Sequence, residues 1–600
     1  MSWSDRVGVA AALVVAWGVS CATIGCGRAL HGGKPSGRGA GGDADGGAGS
    51  GGGASGANGG GAGAGGGGGS AACAGGETLA PKRLVRLTQA QVLRSIEALL
   101  GDQVAAATVQ GDIVFPDGPE RAFPPLASLR EGALITDITW QEDDAMAQRA
   151  AGAVLDGFAA VTPCGDAPSD DCGRGFVLDF AARAYRRPLS ADESQSLATV
   201  YDETRALLGN VKEAVQFGVY AVLEAPEFLY RSELGSDGQS AGTLTPHELA
   251  SALSYFLTDG PPDRALLDAA AGGLLASDAD LAAQVNRLLA TDAARDNLES
   301  AMMSYLSLAN LDTVVFDTTA ISGIDDFVSE AGRRSIKGET TRFLHQTMWG
   351  GSLADLLTSN RSWVDATLAR LYGVSFPPPG AALDADGFAA VNLPNGRAGL
   401  LTQASFLMSH ARPSWTSAVA RGLLVRTLAV CANPVPAEPL LPDIRPPSNG
   451  ATAKQVAEAR LANAACRPCH TEIDPYGIPL ESFDVIGRYR TVDDQGRPID
   501  TSTTLPPVSG GAAVADAPAM LRELAKGDRF AACMTQMFLI WAMADPSSDF
   551  ARPDSCINRG VIQSLAGAGA PSPPQAHLSD VLRGVATSPA FRTRRTGGTP

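Results

Sequence analysis

Apolar residues recur at helical spacing along most of the chain from residue 79 onward. The capping box Thr88-Gln89-Ala90-Gln91 opens one such run, which Gly101 ends. A second capping box, Thr245-Pro246-His247-Glu248, places a proline in the first helical turn and opens another apolar-faced run. The segments Leu281–Leu289 and Ser335–Met348 repeat the amphipathic pattern. These patterns predict α-helices over much of the chain.

Residues of the β type are grouped mainly in one short stretch near the C-terminus. Tyr489–Val492 is followed by the turn-forming sequence Asp493–Gly496 and then by Arg497–Asp500, which is the pattern of a small hairpin. Pro/Gly-rich stretches at 376–381 and 433–447 are typical of domain boundaries. We therefore predict a mostly α protein with several helical domains in tandem and a small β-hairpin near the C-terminus.

The N-terminus has the pattern of an export signal. Arg6 supplies a positive charge, and Val7–Val19 is an apolar run of signal-peptide length that is too short to span a bilayer as a stable helix. The sequence Thr23-Ile24-Gly25-Cys26 resembles a lipoprotein cleavage box, which predicts lipidation of Cys26. Ordinary secretion with cleavage nearby is the alternative.

Almost only Gly, Ala and Ser follow over residues 32–76, and such a run predicts a flexible tether that reaches roughly 35–40 Å. The chain is long enough for several compact units after it. The domains that we predict are a signal peptide (1–25), the tether (26–78), an N-terminal helical domain (79–160), a helical domain with a Cys pair (161–235), a third helical domain (236–378), a domain that contains the sequence C-x-x-C-H (395–503) and a C-terminal helical domain (504–600).

The charge balance excludes some partners. The formal net charge is −17, which argues against nucleic acid and anionic lipid. The local basic cluster of Arg183, Arg186 and Arg187 is explained more economically by salt bridges within an acidic protein than by anion binding. No second apolar run approaches membrane-spanning length, so membrane contact is expected only through the N-terminal lipid.

The strongest chemical motif is Cys466-Arg467-Pro468-Cys469-His470, because C-x-x-C-H is the attachment motif of a c-type haem. The two thiols form thioethers to the haem vinyl groups, and the histidine ligates the iron. The alternatives are a disulfide between Cys466 and Cys469 or half of a zinc site, for which Cys431 is the nearest further thiol.

The remaining cysteines suit an oxidising compartment. The chain has 10 Cys, and six are left after Cys21, Cys26 and the two cysteines of the motif are set aside. We predict the local disulfides Cys164–Cys172 and Cys533–Cys556, and we leave Cys73 and Cys431 unassigned. Without haem, Cys431 could pair with a cysteine of the motif.

The sixth position of the iron is less well defined by the sequence. Met520, on a helix that begins after Pro518, is our candidate ligand, and His410 is the imidazole alternative. Met534 and Met537 lie at helical spacing, which is more typical of core residues. An open sixth position would indicate small-molecule chemistry. For the second ring nitrogen of His470 we expect a backbone carbonyl near Asp474-Pro475 or Pro479 as the acceptor.

Several short segments together resemble a known family. They are Arg86-Leu87-Thr88, the segment 183–190, Pro226–Arg231, Leu253–Leu257, the C-x-x-C-H motif with Ile473–Gly477, and Glu481–Arg490. In this order they are similar to large secreted bacterial proteins, often described as cytochrome-c-like, that consist of consecutive domains of unknown function (the 1587, 1595, 1592, 1588 and 1585 series). The resemblance implies haem c on Cys466, Cys469 and His470, and it implies no substrate.

Three classes of function follow. The first is an exported redox protein with covalent haem c at the cell envelope, periplasmic or lipid-anchored at the cell surface, which either transfers electrons or acts as a haem-dependent oxidoreductase. Its redox partner or small-molecule substrate is unknown. The second is a disulfide-stabilised surface scaffold without haem. The third is an envelope enzyme that acts on polymers, although the usual hydrolase signatures are absent from the body.

Overall fold

Helices form most of the part of the chain that the structure describes, so the predicted mostly α class is confirmed. The structure is a computed structural model that describes residues 79–109, 137–236, 241–394, 396–432, 450–544, 555–567 and 572–595. The predicted signal peptide, lipidated Cys26 and tether therefore lie outside the described residues, and so does Cys73. None of the helices among the described residues is both long enough and apolar enough to cross a membrane.

The first group of elements covers residues 83–233. The strands β1 (Arg83–Arg86) and β2 (Tyr230–Glu233) lie at its two ends and pair antiparallel. The capping box at Thr88 is confirmed, with the Thr88 hydroxyl accepting from the backbone N–H of Gln91. The helices are α1 (Gln89–Leu100), α2 (Asp102–Thr108), α3 (Asp137–Asp156), α4 (Phe158–Val161), α5 (Asp170–Ala184), α6 (Ala191–Leu208), α7 (Val211–Leu223) and α8 (Pro226–Leu229).

The second group covers residues 241–429. It includes strand β3 (Ala241–Thr243) and the antiparallel pair β4 (Arg361–Val364) and β5 (Ala389–Asn392). The second capping box is confirmed too, with Thr245 capping a helix that begins at Pro246. The helices are α9 (Pro246–Leu257), α10 (Arg264–Ala271), α11 (Asp278–Leu289), α12 (Asp292–Tyr305), α13 (Asn310–Thr313), α14 (Asp325–Val328), α15 (Glu330–Gly350), α16 (Leu353–Thr358), α17 (Ala366–Tyr372), a 3₁₀ turn (Leu400–Thr402), α18 (Ala404–Ser409) and α19 (Ala418–Ala429).

The third group covers residues 453–595. The short strands β6 (Thr503–Thr504) and β7 (Ala513–Val514) pair antiparallel. The other elements are α20 (Ala453–Ala462), α21 (Arg467–Gly477), 3₁₀ turns at Ile478–Ser482, Pro507–Ser509 and Pro573–Gln575, α22 (Ala517–Leu524), α23 (Asp528–Met543), α24 (Cys556–Gly567), α25 (Leu578–Thr587), α26 (Pro589–Arg592) and β8 (Thr593–Arg595).

The predicted hairpin is present in a minimal form. The backbone N–H of Asp493 donates to the carbonyl of Arg497 at 2.9 Å, which closes the turn. The N–H of Ile499 donates to the carbonyl of Thr491 at 2.9 Å, and Val492 forms an isolated antiparallel bridge with Pro498. The Asp-Asp-Gln-Gly sequence thus forms the predicted turn, but the flanking residues pair at only a few positions.

The C-terminal helices share one apolar core with the second group. Phe256 of α9, Phe343 of α15 and Phe538 of α23 are all nearly fully buried in the same cluster. Strand β8 also pairs antiparallel with β3, which joins residues 593–595 to residues 241–243. From Glu77 onward the chain clusters as one compact unit. Helices from the second and third groups therefore pack in one common core.

A buried carboxylate connects the two ends of this unit. Glu233 in β2 is 1 % exposed and contacts Arg83 of β1 at 2.8 Å, Arg594 of β8 at 2.9 Å and Arg231 at 3.5 Å. The positive charges of Arg594, Arg83 and Arg231 outweigh the effect of burial and hold the pKa of Glu233 well below its usual range. This ion cluster joins β8, the last described strand, to β1, the first.

The disulfides confirm one of the two predicted pairings. Cys164 and Cys172 are joined, with a sequence separation of 8 residues, as predicted. Cys533, however, pairs with Cys431 across 102 residues, so the predicted Cys533–Cys556 bond is wrong. The physical reason is the shared core: it brings the end of α19 beside α23, where Tyr305 also contacts both sulfurs. Cys556 is itself disulfide-bonded.

Candidate functional site

The C-x-x-C-H motif forms the start of α21. Cys466 lies at the N-cap position, and Pro468 lies in the first turn, where a missing N–H costs no helical hydrogen bond. The backbone N–H groups of Cys466 and Arg467 donate to the carbonyl of Asn463 at 3.1 and 2.9 Å, which turns the chain into the helix. Cys469 and His470 consequently project from the first helical turn, next to Cys466.

The two cysteines of the motif are free thiols. Cys466 and Cys469 are both partly exposed and are joined neither to each other nor to Cys431, whose partner is Cys533. The predicted alternative of a Cys431 bond to the motif is therefore wrong. The part of the chain that the structure describes thus keeps two thiols free in the motif, whereas Cys164, Cys172, Cys431, Cys533 and Cys556 are all oxidised.

A buried carboxylate orients the histidine of the motif. Nδ1 of His470 lies 2.9 Å from Oδ1 of Asp474, which is one helical turn further along α21 and 1 % exposed. Nη2 of Arg460 in α20 contacts the other oxygen of Asp474 at 2.9 Å. We expected a backbone carbonyl as the partner of His470, and this is wrong. The side chain of Asp474, four residues further along the helix, contacts the ring instead. With Nδ1 engaged, Nε2 is the ring nitrogen left for a metal.

Helix α21 is held in place by a close crossing with α19. At the crossing, a Cβ added to Gly477 would overlap the backbone carbonyl of Ala418, and one added to Gly422 would overlap the carbonyl of Ile473. On the same helix, Tyr476 is fully buried and its hydroxyl lies 2.7 Å from that of Ser509. The helix that carries the motif therefore rests on a rigid support.

A cavity of about 600 Å³ lies beside Asp474, between α20, the second half of α21 and the β6–β7 pair. Its walls are largely apolar and include Ala457, Leu461, Ile478 and Val514. The volume is within the range of cofactor and small-molecule pockets. The carboxylate that orients His470 therefore also faces a space that can take a ligand.

The predicted sixth ligands lie elsewhere. Met520 is fully buried in the main apolar cluster and is not among the residues that line this cavity, and Met534 and Met537 belong to the same cluster, as expected for core residues. Nε2 of His410 lies 2.9 Å from the carbonyl oxygen of Leu306, so that ring is engaged in a packing contact. The structure brings neither Met520 nor His410 to the cavity, and Met520 stays an untested prediction.

The donor set at the motif fits a covalent haem. Two partly exposed free thiols and one imidazole with Nε2 unengaged are the groups that thioether attachment and axial ligation need. Within the described ranges, no three or more His, Cys, Asp and Glu side chains are grouped so that they could hold a metal ion. The sequence reasoning missed Arg460 and the role of Asp474, although the i,i+4 spacing of His470 and Asp474 was a signal for the latter.

Comparisons with known families support the resemblance. The model PSD5, described as "Protein of unknown function (DUF1595)", matches residues 172–233. PSD4, "Protein of unknown function (DUF1592)", matches 244–374, and PSCyt3, "Protein of unknown function (DUF1588)", matches 397–493, which contains the motif. No curated protein and no solved structure matches the chain. The three matches confirm the suspected order of domains and lie within the predicted segments 161–235, 236–378 and 395–503; the 1587 and 1585 parts stay predictions.

Proposed function

We propose that this chain, which resembles the cytochrome-c-like multidomain family in carrying three of its domains in tandem, is an exported redox protein with covalent haem c. Haem c, when bound, supplies a one-electron couple at the iron. The function is either electron transfer or a haem-dependent oxidation at the cell envelope.

The observation that carries this proposal is the free pair of thiols. The disulfides in the rest of the chain are consistent with an oxidising, extracytoplasmic compartment. In such a compartment two neighbouring thiols stay available only if something else uses them. Thioether attachment of haem to Cys466 and Cys469 is a use that also explains the histidine that follows them.

The residues around the motif have separate roles in this proposal. Cys466 and Cys469 hold the haem, and Nε2 of His470 ligates its iron. Asp474 accepts the Nδ1 proton of His470 and so fixes the tautomer and the orientation of the ring. Arg460 compensates the charge of the buried Asp474.

The N-terminal prediction completes the proposal. A lipid on Cys26 and the tether over residues 26–78 would anchor the folded body at a membrane and leave it free to meet partners near that surface. Mass spectrometry of the mature N-terminus tests this part independently of haem. An unmodified N-terminus downstream of Cys26 would contradict the anchoring and leave the redox proposal intact.

Absorption spectroscopy tests the redox proposal. The full chain is produced with its signal peptide in a host that has the haem c maturation machinery, and the purified protein is examined by pyridine haemochrome assay and by non-reduced peptide mapping. We expect one covalent haem per chain, and none in the Cys466→Ala/Cys469→Ala variant. A colourless protein in which Cys466 and Cys469 are bonded to each other would refute the proposal in favour of the scaffold function.

A further inference from the structure

A second cavity lies far from the motif in sequence. It is bounded by the turn after α5, strand β2 and the first turns of α9, and its volume is about 390 Å³. We call it the Tyr185 cavity and define it by Tyr185, Arg187, Glu227, Tyr230, His247 and Ser251, which all line it. A volume of this size is at the lower end for small-molecule sites.

One hydroxyl group in the Tyr185 cavity is buried without a protein partner. Oγ of Ser251 makes no hydrogen bond, and the residue is 5 % exposed. Tyr185, which is 8 % exposed, adds a second hydroxyl-bearing side chain to the lining. A buried hydroxyl that lacks a partner is costly, and most such groups in native proteins are satisfied by protein, water or a ligand. The Ser251 hydroxyl therefore indicates an occupant of the cavity, and the Tyr185 side chain lies in the same lining.

The charges at the cavity argue against an anionic occupant. Arg187 forms a two-point ion pair with Glu193 at 2.7 and 2.8 Å. The neighbouring Arg186 donates to the carbonyls of Glu227, Phe228 and Tyr230, in a left-handed backbone conformation with φ 60°. The guanidinium groups are thus engaged in the fold, whereas the carboxylate of Glu227 is exposed and can accept from a ligand.

Apart from the carboxylate of Glu248, which accepts hydrogen bonds from its own surroundings, the remaining polar groups are neutral donors and acceptors. Burial, and then the positive charge of Arg187, lower the pKa of His247, which favours the neutral imidazole with one donor and one acceptor. Tyr185, Tyr230 and Ser251 each offer a hydroxyl that can donate and accept. The rings of the tyrosines, with Leu84 and Pro226, supply apolar surface between these groups.

We propose that the Tyr185 cavity binds a neutral polyhydroxylated ligand of the size of a mono- or disaccharide. The hydroxyls of Tyr185 and Ser251 exchange hydrogen bonds with ligand hydroxyls, and Glu227 accepts from one of them. Of the two carboxylates that line the cavity, Glu248 is already engaged by hydrogen bonds from Ser232 and from the backbone N–H groups of Leu234, Gly235 and Thr245, so a cation would find only Glu227. An apolar ligand would leave the buried hydroxyl of Ser251 unsatisfied. The site shares no residue with the C-x-x-C-H motif. Failure of the redox proposal would therefore leave this proposal unaffected, and the reverse also holds.

Isothermal titration and saturation-transfer NMR with the full chain test the proposal. The probes are D-glucose, D-galactose and cellobiose, with inorganic phosphate as the anionic comparison. We expect at least one sugar to bind and phosphate not to compete. Tyr185→Phe and Ser251→Ala should each weaken sugar binding by roughly three- to tenfold, the effect of one lost hydrogen bond.

Matched controls separate binding from folding. Tyr201→Phe and Ser409→Ala also remove buried hydroxyls without partners, but neither residue lines the Tyr185 cavity, so sugar binding should not change. Each variant removes only a hydroxyl group, and thermal melts should match wild type. Absence of binding for all three sugars, preferential binding of phosphate, or equal loss in the control variants would each overturn the proposal.

Discussion

Asp474 and His470 form a carboxylate–imidazole pair within one turn of α21, with 2.9 Å between Oδ1 and Nδ1. The pair turns a sequence motif into a site with a defined geometry, because a ring that is held at Nδ1 presents Nε2 in one direction. Arg460 extends the pair to α20 and leaves no charge unpaired at the buried carboxylate.

The first prediction concerns the effect of this pair on the haem potential. If His470 ligates a haem iron as proposed, the negative charge of Asp474 increases the donor strength of the ring and so favours the oxidised iron. Asp474→Asn removes that charge. We expect covalent haem to be retained and the reduction potential to rise by about 60–120 mV, which corresponds to a ten- to hundredfold change in the one-electron equilibrium. Spectroelectrochemical titration measures the shift.

Glu472→Gln is the matched control, because it removes the same charge from the same helix at a residue that does not contact His470. Its potential should stay close to that of wild type. Equal potentials in Asp474→Asn and wild type would show that Asp474 does not influence the iron.

The second prediction concerns the two disulfides. Because the Cys431–Cys533 bond spans 102 residues and the Cys164–Cys172 bond only 8, loss of the first should cost more free energy of unfolding. Chain-entropy estimates give about 4.7 kcal/mol against about 2.5 kcal/mol. Urea unfolding of the two double Cys→Ser variants measures the difference. Peptide mapping that recovers a Cys533–Cys556 bond would contradict the pairing itself.

The third prediction concerns a buried acid outside the proposed sites. Burial raises the pKa of Glu339 to about 7, although it accepts hydrogen bonds from Ser362 and Tyr372. In the unfolded chain the same carboxyl ionises near its ordinary pKa of about 4.3. Between these values the unfolded state loses its proton first, so the contribution of Glu339 to stability is most favourable below about pH 4 and falls as pH rises to about 7.

Glu339→Gln should remove this contribution and be more stable than wild type at pH 8, by up to about 3 kcal/mol. At pH 4 the variant and wild type should be nearly equal. Urea midpoints at the two values of pH test this, and a stability difference that is independent of pH would contradict the raised pKa.

The fourth prediction concerns the crossing of α19 and α21. Gly477→Ala would force the two helices apart, because its Cβ would overlap the Ala418 carbonyl. We expect a loss of several kcal/mol in unfolding free energy and reduced covalent haem, since the motif loses its support. Gly152→Ala in α3 is the control: its Cβ would meet nothing within 4 Å, and thermal stability should be unchanged or slightly higher.

Local features of the fold could be predicted from the sequence. The capping boxes at Thr88 and Thr245, the turn at Asp493–Gly496 and the Cys164–Cys172 bond all depend on residues close together in the chain. The Cys431–Cys533 bond and the core shared by α9, α15 and α23 depend on long-range packing, which no local pattern reports.

The same distinction applies to the site. The proposed attachment residues Cys466 and Cys469 and the proposed ligand His470 follow from the spacing of the motif. Arg460 could not be predicted, because its contact with Asp474 depends on how α20 packs against α21. The carbonyl partner expected for His470 was wrong because it assumed a turn where the chain continues as helix past Asp474.

The pairing of β3 with β8 has a consequence for the order of events during biosynthesis. Residue 241 is synthesised long before residue 595. The edge of β3 therefore stays uncovered until β8 has been made. Truncation before Arg594 would leave Glu233 buried without one of its cations, so the described fold can close only after its last strand has been made.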